Sequence, residues 1–179
     1  VKNYRESYDM FACNGILFNH ESPYRGNDFV TQKIVKGAIA IAEGRQDRLT
    51  LGNLDAQRDW GHAKDYVNGM YLMLQQDKPE DYVLATGEMH SVKECCEYVF
   101  NKLDMPLTWK GEGIDEKGYF KDKCVIDCDE KFFRPAEVQL LNGDSSKAQK
   151  ELGWKFEHSF ETLMDDMIDK ELEKHLVTP

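Results

Sequence analysis

The chain has 179 residues, of which 41% are hydrophobic and 31% charged, so it is long enough to bury a core without disulfides or a metal. Its formal net charge is -10, and a field of that sign repels nucleic acid and anionic lipid at long range. We therefore expect neither as a partner, and an anionic ligand must meet a local cluster of cations. Because no apolar run approaches the roughly 20 residues of a membrane span and no secretory signal opens the chain, we expect a cytoplasmic protein.

The cysteines and histidines show no framework of disulfides or metal ligands. There are five cysteines, an odd number, and adjacent Cys95 and Cys96 on a predicted helix point in different directions. We expect reduced, structural thiols. Cys124 and Cys128 have a spacing that a metal pair can use, but no second Cys or His pair accompanies them, so no metal site is predicted.

The first residues, VKNYRESY, have the pattern of a helix already in progress, with no capping residue before them. We therefore expect the chain to be a piece of a longer protein. The apolar segment 11–18 has strand length, and the polar segment 19–27 that follows is expected to be a loop. A strand that leads directly into a polar loop is a common place for a ligand.

Strands and helices alternate through the rest of the chain. The predicted helices span 28–44, 63–76, 92–103 (capped by Ser91), 145–152 (capped by Ser145) and a segment that opens at Ser159. The predicted strands span 49–53, 81–86, 107–111 and 124–127. Segment 111–123 is rich in Gly and charge, so we expect a solvated loop. The alternation predicts an α/β fold in one compact unit.

Several cations lie in predicted loops or at a helix start. Arginine offers a planar fork of donors that suits phosphate oxygens, and lysine a point charge. Such side chains bind a diphosphate if they converge from separate segments, whereas a lone one is an ordinary surface charge. The candidates are His20, Arg25, Lys33, Arg58 and Arg134.

The start of the predicted helix near Val30 adds backbone N–H groups and a partial positive charge, which favour an anion beside Asn19 and Lys33. The alternative is a plain helix cap by Asn27 or Asp28.

Two further residues each have a functional and a purely structural interpretation. Gly52 lets the backbone approach a flat base, although a glycine at a strand end is weak evidence by itself. Glu137 either accepts hydrogen bonds from ribose hydroxyls or forms a local ion pair with Arg134. The glycine-rich motifs GxGxxG and GxxxxGK are missing, so no dinucleotide-binding loop is predicted within the chain.

The motifs NGILFNHESPYRG, FVTQKI, LGNLDAQRDWGHAKDYV and FFRPAEV closely resemble those of the GDP-mannose 4,6-dehydratases, in the extended short-chain dehydrogenase/reductase family. The resemblance covers nearly the whole chain. It implies the C-terminal, substrate-binding portion of a Rossmann-type α/β fold, in which residues 1–20 are the tail end of the Rossmann domain and the N-terminal dinucleotide-binding part is absent.

The resemblance also implies an activity, a cofactor and a set of contacts. The activity is that of a hydro-lyase that converts GDP-mannose to GDP-4-keto-6-deoxymannose and water, with NADP as an internal hydride carrier in a homodimer or homotetramer. His20 and Arg25 are implied to contact NADP. The implied GDP-mannose contacts are Asn19, Val30, Lys33, Leu51, Gly52, Arg58, Arg134 and Glu137.

Two departures from the family pattern matter. Tyr24 stands where the family usually has the first arginine of SPRRG, which affects a contact to the cofactor or a neighbouring subunit. The catalytic YxxxK pair and the catalytic Thr and Glu are expected upstream of Val1, so the 179 residues alone are expected to be inactive. Two alternatives stay open until those residues are known: another nucleotide-sugar epimerase or dehydratase of this superfamily, and a non-catalytic nucleotide-sugar binding module.

Overall fold

The computed structural model describes residues 1–133 and 141–177. The helices are α1 (Lys2–Tyr8), α2 (Val30–Ala42), α3 (Ala63–Met73), α4 (Val92–Lys102), α5 (Ser146–Leu152) and α6 (Phe160–Val177). The strands are β1 (Gly15–Leu17), β2 (Asn19–Glu21), β3 (Leu49–Leu51), β4 (Gln57–Arg58), β5 (Trp60–His62), β6 (Tyr82–Leu84), β7 (His90–Ser91), β8 (Thr108–Lys110), β9 (Lys117–Phe120) and β10 (Lys123–Cys128). The predicted α/β class is confirmed.

The chain divides into two compact units, so the expectation of one unit was wrong. The first unit contains Val1–Ser22, Asp59–Met89 and Asn142–Leu163. The second unit contains Pro23–Arg58 and the described residues of His90–Leu141 and Met164–Pro179. Each unit is built from segments that are distant in sequence, and such an interleaved division leaves no linker for composition to reveal.

The first unit is built on short parallel strand pairs. Strand β1 pairs with β6, and β2 pairs with β5. Both pairs are parallel, and α3 lies within the connection from β1 to β6. Its core contains Tyr66, Leu84 and Trp154, and the buried indole N–H of Trp154 donates to the Asp65 carbonyl at 2.7 Å. At Gly69 a Cβ would lie 2.5 Å from Leu84 Cδ1, so the absence of a side chain lets α3 lie close to β6.

The second unit contains a four-stranded sheet in the order β3-β10-β9-β8. Strand β10 runs parallel to β3 and antiparallel to β9. Helix α2 buries Ile34, Val35, Ala38 and Ile39 and packs against α4. The spacing of these residues at three and four positions is the period from which the helix was predicted.

Segment 111–123 is not the solvated loop that its composition predicted. It contains a short 3₁₀ turn and β9, which pairs with both β8 and β10. Gly118 is buried at the centre of the strand, where a Cβ would lie 3.0 Å from Trp109 and 3.1 Å from Ile126. The charged residues lie on the exposed positions and the inward position is a glycine, so no apolar alternation was visible.

The helix caps were predicted with mixed success. Ser91 and Glu94 form a complete capping box at the start of α4, as expected. Ser145 is the N-cap residue of α5, but its hydroxyl donates to the Ala85 carbonyl at 2.7 Å and makes no capping bond. Asp144 accepts from the Ser146 N–H at 2.9 Å instead.

Within the described part of the chain, none of the helices is long and apolar enough to cross a membrane. Among residues 1–133 and 141–177, no group of three or more His, Cys, Asp and Glu side chains is placed to hold a metal ion. The five cysteines all lie within the described residues, and none of them forms a disulfide.

Candidate nucleotide-sugar site

Lys33 is held at the C-terminal end of β3 by the packing of α2. At Gly37, one turn further along the helix, a Cβ would lie 2.8 Å from Leu49 Cδ1, so this glycine brings α2 close to β3. The half-buried Lys33 ammonium then donates to the Thr50 carbonyl at 2.6 Å. Two segments that are separate in sequence are thus joined at one predicted cation.

Gly52 lies where a second segment crosses the end of β3. The register of β10 places Cys128 beside Leu51, and the Asp129 N–H donates to the Leu51 carbonyl at 3.0 Å. The chain then forms a 3₁₀ turn over Glu130–Phe132, and a Cβ on Gly52 would lie 2.5 Å from the Phe132 carbonyl oxygen. The close approach expected at this glycine therefore exists, and it is made by the protein's own backbone.

The Phe132 ring contacts two lysines. The Lys33 ammonium lies 3.9 Å from the ring centroid, and the Lys131 ammonium lies 4.8 Å from it. Burial, and secondly the positive charge of Lys131, lower the pKa of Lys33. Lys131 and Phe132 were not among the predicted site residues. The available signal was the charged and aromatic run that directly precedes Arg134.

Leu51 supports this edge by packing. Leu51 is 2% exposed, and its carbonyl holds the turn that carries Phe132. Val30 is the first residue of α2, and the N-cap residue is Phe29, which makes no side-chain capping bond. Asn27 and Asp28 were therefore wrongly considered as the cap, and the Asn27 side chain accepts from the Lys36 ammonium at 2.6 Å.

Arg25 and Arg58 are held by other contacts of the second unit. The Arg25 guanidinium lies over the Phe29 ring, with 3.3 Å between its Cζ and the ring centroid. Arg58 ends β4, opposite His90 of β7, and its Nη1 donates to the Gln57 carbonyl at 2.7 Å. A guanidinium carries its N–H donors in a planar fork, a geometry that suits phosphate oxygens.

Asn19 and His20 lie on β2 of the first unit, a strand where the sequence predicted a loop. They pair with Trp60 and Gly61 of β5. His20 Nδ1 lies 2.8 Å from the Phe18 carbonyl oxygen, so it carries the proton and donates there.

Tyr66 stacks against the His20 ring, with centroids 5.1 Å apart. The phenol is buried, and this burial, followed by the negative charges of Asp59, Asp65 and Glu21, raises the pKa of Tyr66 strongly. The residue therefore stays protonated at any physiological pH. It fixes the plane of the His20 ring from a rigid position in α3.

Asp59 and Asp65, which flank His62, have structural partners in the first unit. Asp59 is fully buried and accepts hydrogen bonds from the Thr86 hydroxyl at 2.7 Å and the Gly87 N–H at 2.8 Å. Asp65 lies 3.0 Å from His158 Nδ1. These bonds anchor the loop after β6 and the segment before α6.

The structure thus brings Lys33, Leu51 and Gly52 together, and it places Arg25 beside the N-cap residue that precedes Val30. Arg134 and Glu137 lie outside the described residues. Asn19 and His20 belong to the first unit, whereas Lys33, Leu51 and Gly52 belong to the second.

The sequence and the fold are both similar to those of known proteins. A family model described as GDP-mannose 4,6 dehydratase matches residues 1–167. A Dictyostelium discoideum protein of that name is 54% identical over 97% of this chain and 49% of its own length. The Homo sapiens protein is 48% identical over 100% of this chain and 49% of its own length.

Solved structures show the same fold at lower sequence identity. The structure of RMD from Pseudomonas aeruginosa complexed with NADPH has a TM-score of 0.77 at 18% identity, over 96% of this chain and 52% of that one. The dTDP-glucose 4,6-dehydratase DesIV from Streptomyces venezuelae, with NAD and TYD bound, has a TM-score of 0.72 at 18% identity, over 97% and 48% of the two chains. The fold is therefore that of the Rossmann-type dehydratases and epimerases.

The chain spans about half the length of the curated relatives it matches, as the shares of 49% and 50% show. The matched residues include those that position Lys33, Gly52 and Phe132. By the match over residues 1–167 and by relatives about half identical across it, this chain belongs to the GDP-mannose 4,6-dehydratase family.

Proposed function

We propose that the whole protein is a lyase that converts GDP-mannose to GDP-4-keto-6-deoxymannose and water. We propose further that this chain contains the residues that bind the nucleotide sugar. The observation that carries the proposal is the convergence of Lys33, Gly52 and Phe132 at the end of β3, in a chain about half identical to named GDP-mannose dehydratases. In a protein of net charge -10, a local cation such as Lys33 is what an anionic diphosphate requires.

The substrate contacts divide by chemistry. Lys33 and Arg58 supply positive charge to the diphosphate, and we assign the same role to Arg134. Leu51, Gly52 and Val30 form the wall against which the nucleoside lies, and Asn19 offers an amide. Glu137 accepts hydrogen bonds from the ribose hydroxyls. Arg134 and Glu137 enter through the family resemblance alone.

We infer from the family resemblance that His20 on β2 and Arg25 before α2 contact NADP. The His20 Nδ1 is hydrogen-bonded to the Phe18 carbonyl, so Nε2 is the ring nitrogen that remains for a hydrogen bond with the cofactor. Arg25 presents a cation for a phosphate group. When bound, NADP supplies reversible removal of hydride from the sugar. His20 and Arg25 hold and orient the cofactor, while the Tyr66 ring keeps the His20 imidazole in its plane.

Proton transfer and the positioning of the sugar C4 are assigned to the YxxxK pair and the Thr and Glu that the family resemblance places upstream of Val1. From the family resemblance we also propose a homodimer or homotetramer. We propose a cytoplasmic location, because cysteines that form no disulfide fit a reducing compartment.

The test compares the full-length protein with residues 1–179 in a GDP-mannose dehydration assay that detects the ketosugar by its loss of one water mass. The full-length protein is expected to form it without net consumption of NADP. The 179 residues are expected to bind GDP-mannose weakly and to form no product. Absence of product from the folded, NADP-loaded full-length protein would exclude the activity.

A further inference from the structure

Two ammonium groups from different elements meet at one aromatic ring in the second unit. Lys33 reaches the Phe132 ring from α2, with 3.9 Å between the ammonium and the centroid. Lys131 reaches the same ring from the 3₁₀ turn that follows β10, at 4.8 Å. Phe132 is 43% exposed, so this arrangement is open to a ligand.

The arrangement is fixed to the end of β3 by the backbone. The bond from the Asp129 N–H to the Leu51 carbonyl fixes the start of the turn, and the Phe132 carbonyl lies against Gly52. If the turn shifted along β3, either the bond from Asp129 to Leu51 would break or the Phe132 carbonyl would come too close to Gly52. The ring and its two cations therefore have a defined position at the strand end.

Two like charges beside one ring repel each other, and the lowered pKa of Lys33 reflects burial together with this repulsion. Part of the repulsion is offset by Asp129, whose carboxylate lies 3.1 Å from the Lys131 ammonium on the exposed side. The Lys33 ammonium has three donors, and the Thr50 carbonyl takes one of them. An anion that contacts both ammonium groups removes the repulsion and uses the remaining donors.

We propose that Lys131 and Phe132 complete the substrate site, so that Lys33 and Lys131, spaced by the Phe132 ring, form a two-lysine clamp on the phosphate oxygens of a nucleoside diphosphate. The inference rests on the proposed function and adds two residues to it. The ring acts as the spacer and holder of the ammonium groups. The clamp therefore recognises the charge of the diphosphate and leaves recognition of the base to other residues.

Calorimetry on the full-length protein tests the clamp with GDP and guanosine as ligands. Lys131→Gln is expected to weaken GDP binding about tenfold, because a charged hydrogen bond to phosphate is lost, and to leave guanosine binding unchanged. Phe132→Leu is expected to weaken GDP binding as well, since the lysines lose their common support. Lys131→Arg is expected to retain most of the affinity.

The matched control is Lys110→Gln, because the Lys110 ammonium also lies over a ring, 4.9 Å from Tyr119, on the same sheet. It is expected to bind GDP as the wild type does. Salt provides a second measurement, since GDP affinity is expected to fall less steeply with ionic strength in Lys131→Gln than in the wild type. Thermal melting confirms that each variant is folded.

Two outcomes separate the clamp from the proposed function. If Lys131→Gln binds GDP with the affinity and the salt dependence of the wild type, the clamp is overturned and the proposed function stands. If the folded wild type binds neither GDP nor GDP-mannose, the proposed function fails and the clamp fails with it.

Discussion

At the scale of single residues, Gly52 is a position where a side chain has no room. A Cβ there would lie 2.5 Å from a backbone oxygen of Phe132, which has no rotamer that relieves the contact. We predict that Gly52→Ala displaces the 130–132 turn and lowers the free energy of unfolding by about 1–3 kcal/mol, as overpacking does.

Urea unfolding measures this loss. Gly26→Ala is a suitable control, because a Cβ at Gly26 lies 3.4 Å from its nearest neighbour, the Phe29 ring. Equal stability of Gly52→Ala and Gly26→Ala would show that the turn is free to move away from β3.

Arg58 offers a second test at this scale. Its Nη1 donates to the neighbouring Gln57 carbonyl, and the planar guanidinium is a group whose N–H donors suit phosphate oxygens. We predict that Arg58→Ala in the full-length protein raises the KM for GDP-mannose about tenfold or more, since a charged hydrogen bond contributes about 1.5–3 kcal/mol. Steady-state kinetics measure the change.

Arg58→Lys is the informative companion of that variant. Lysine keeps the charge but loses the planar fork, so an intermediate KM is expected. An unchanged KM in Arg58→Ala would remove this residue from the substrate site.

At the scale of elements, an ion pair ties α1 to the start of β6 in the first unit. Arg5 Nη1 donates to Asp81 at 2.8 Å, and Asp81 also accepts from the Asn14 N–H at 2.9 Å. These bonds hold the pKa of Asp81 well below its usual range, and the bond from Arg5 has the largest effect. The carboxylate therefore stabilises the folded state only while it is ionised.

The pH dependence follows from the direction of that shift. The contribution is fully present above the unfolded pKa, about 3.9, and is lost as the pH falls towards the lower folded value. We predict that Asp81→Asn lowers stability at pH 7 and reduces the loss of stability between pH 5 and pH 3. Urea unfolding at three pH values checks this, with the exposed Asp77→Asn as control.

Helices with a regular spacing of apolar residues were predictable from the sequence, and short paired strands were not. The apolar spacing of α2 and the Ser91–Glu94 capping box identified two helices correctly. The strands Asn19–Glu21 and Gln57–Arg58 have no apolar alternation, because their pairing partners define them. The inward position of β9 is Gly118, so its pattern resembled a loop.

At the scale of the whole molecule, the units and the site depend on contacts between distant segments. The sequence supplied Lys33 and Gly52 as separate candidates, while their convergence depends on the fit of Gly37 against Leu49 and on the turn that ends at Phe132. Neither contact leaves a local signal. The family motifs identified most of the candidate residues, and the geometry added Lys131 and Phe132.

We propose that this chain holds the nucleotide sugar through the cations at the end of β3. The most direct test of this proposal is the KM for GDP-mannose of the full-length protein carrying Lys33→Gln. The account predicts a rise of about tenfold or more, with Lys36→Gln, one turn along α2 and bonded to Asn27, close to the wild type. An unchanged KM in folded Lys33→Gln would contradict the account.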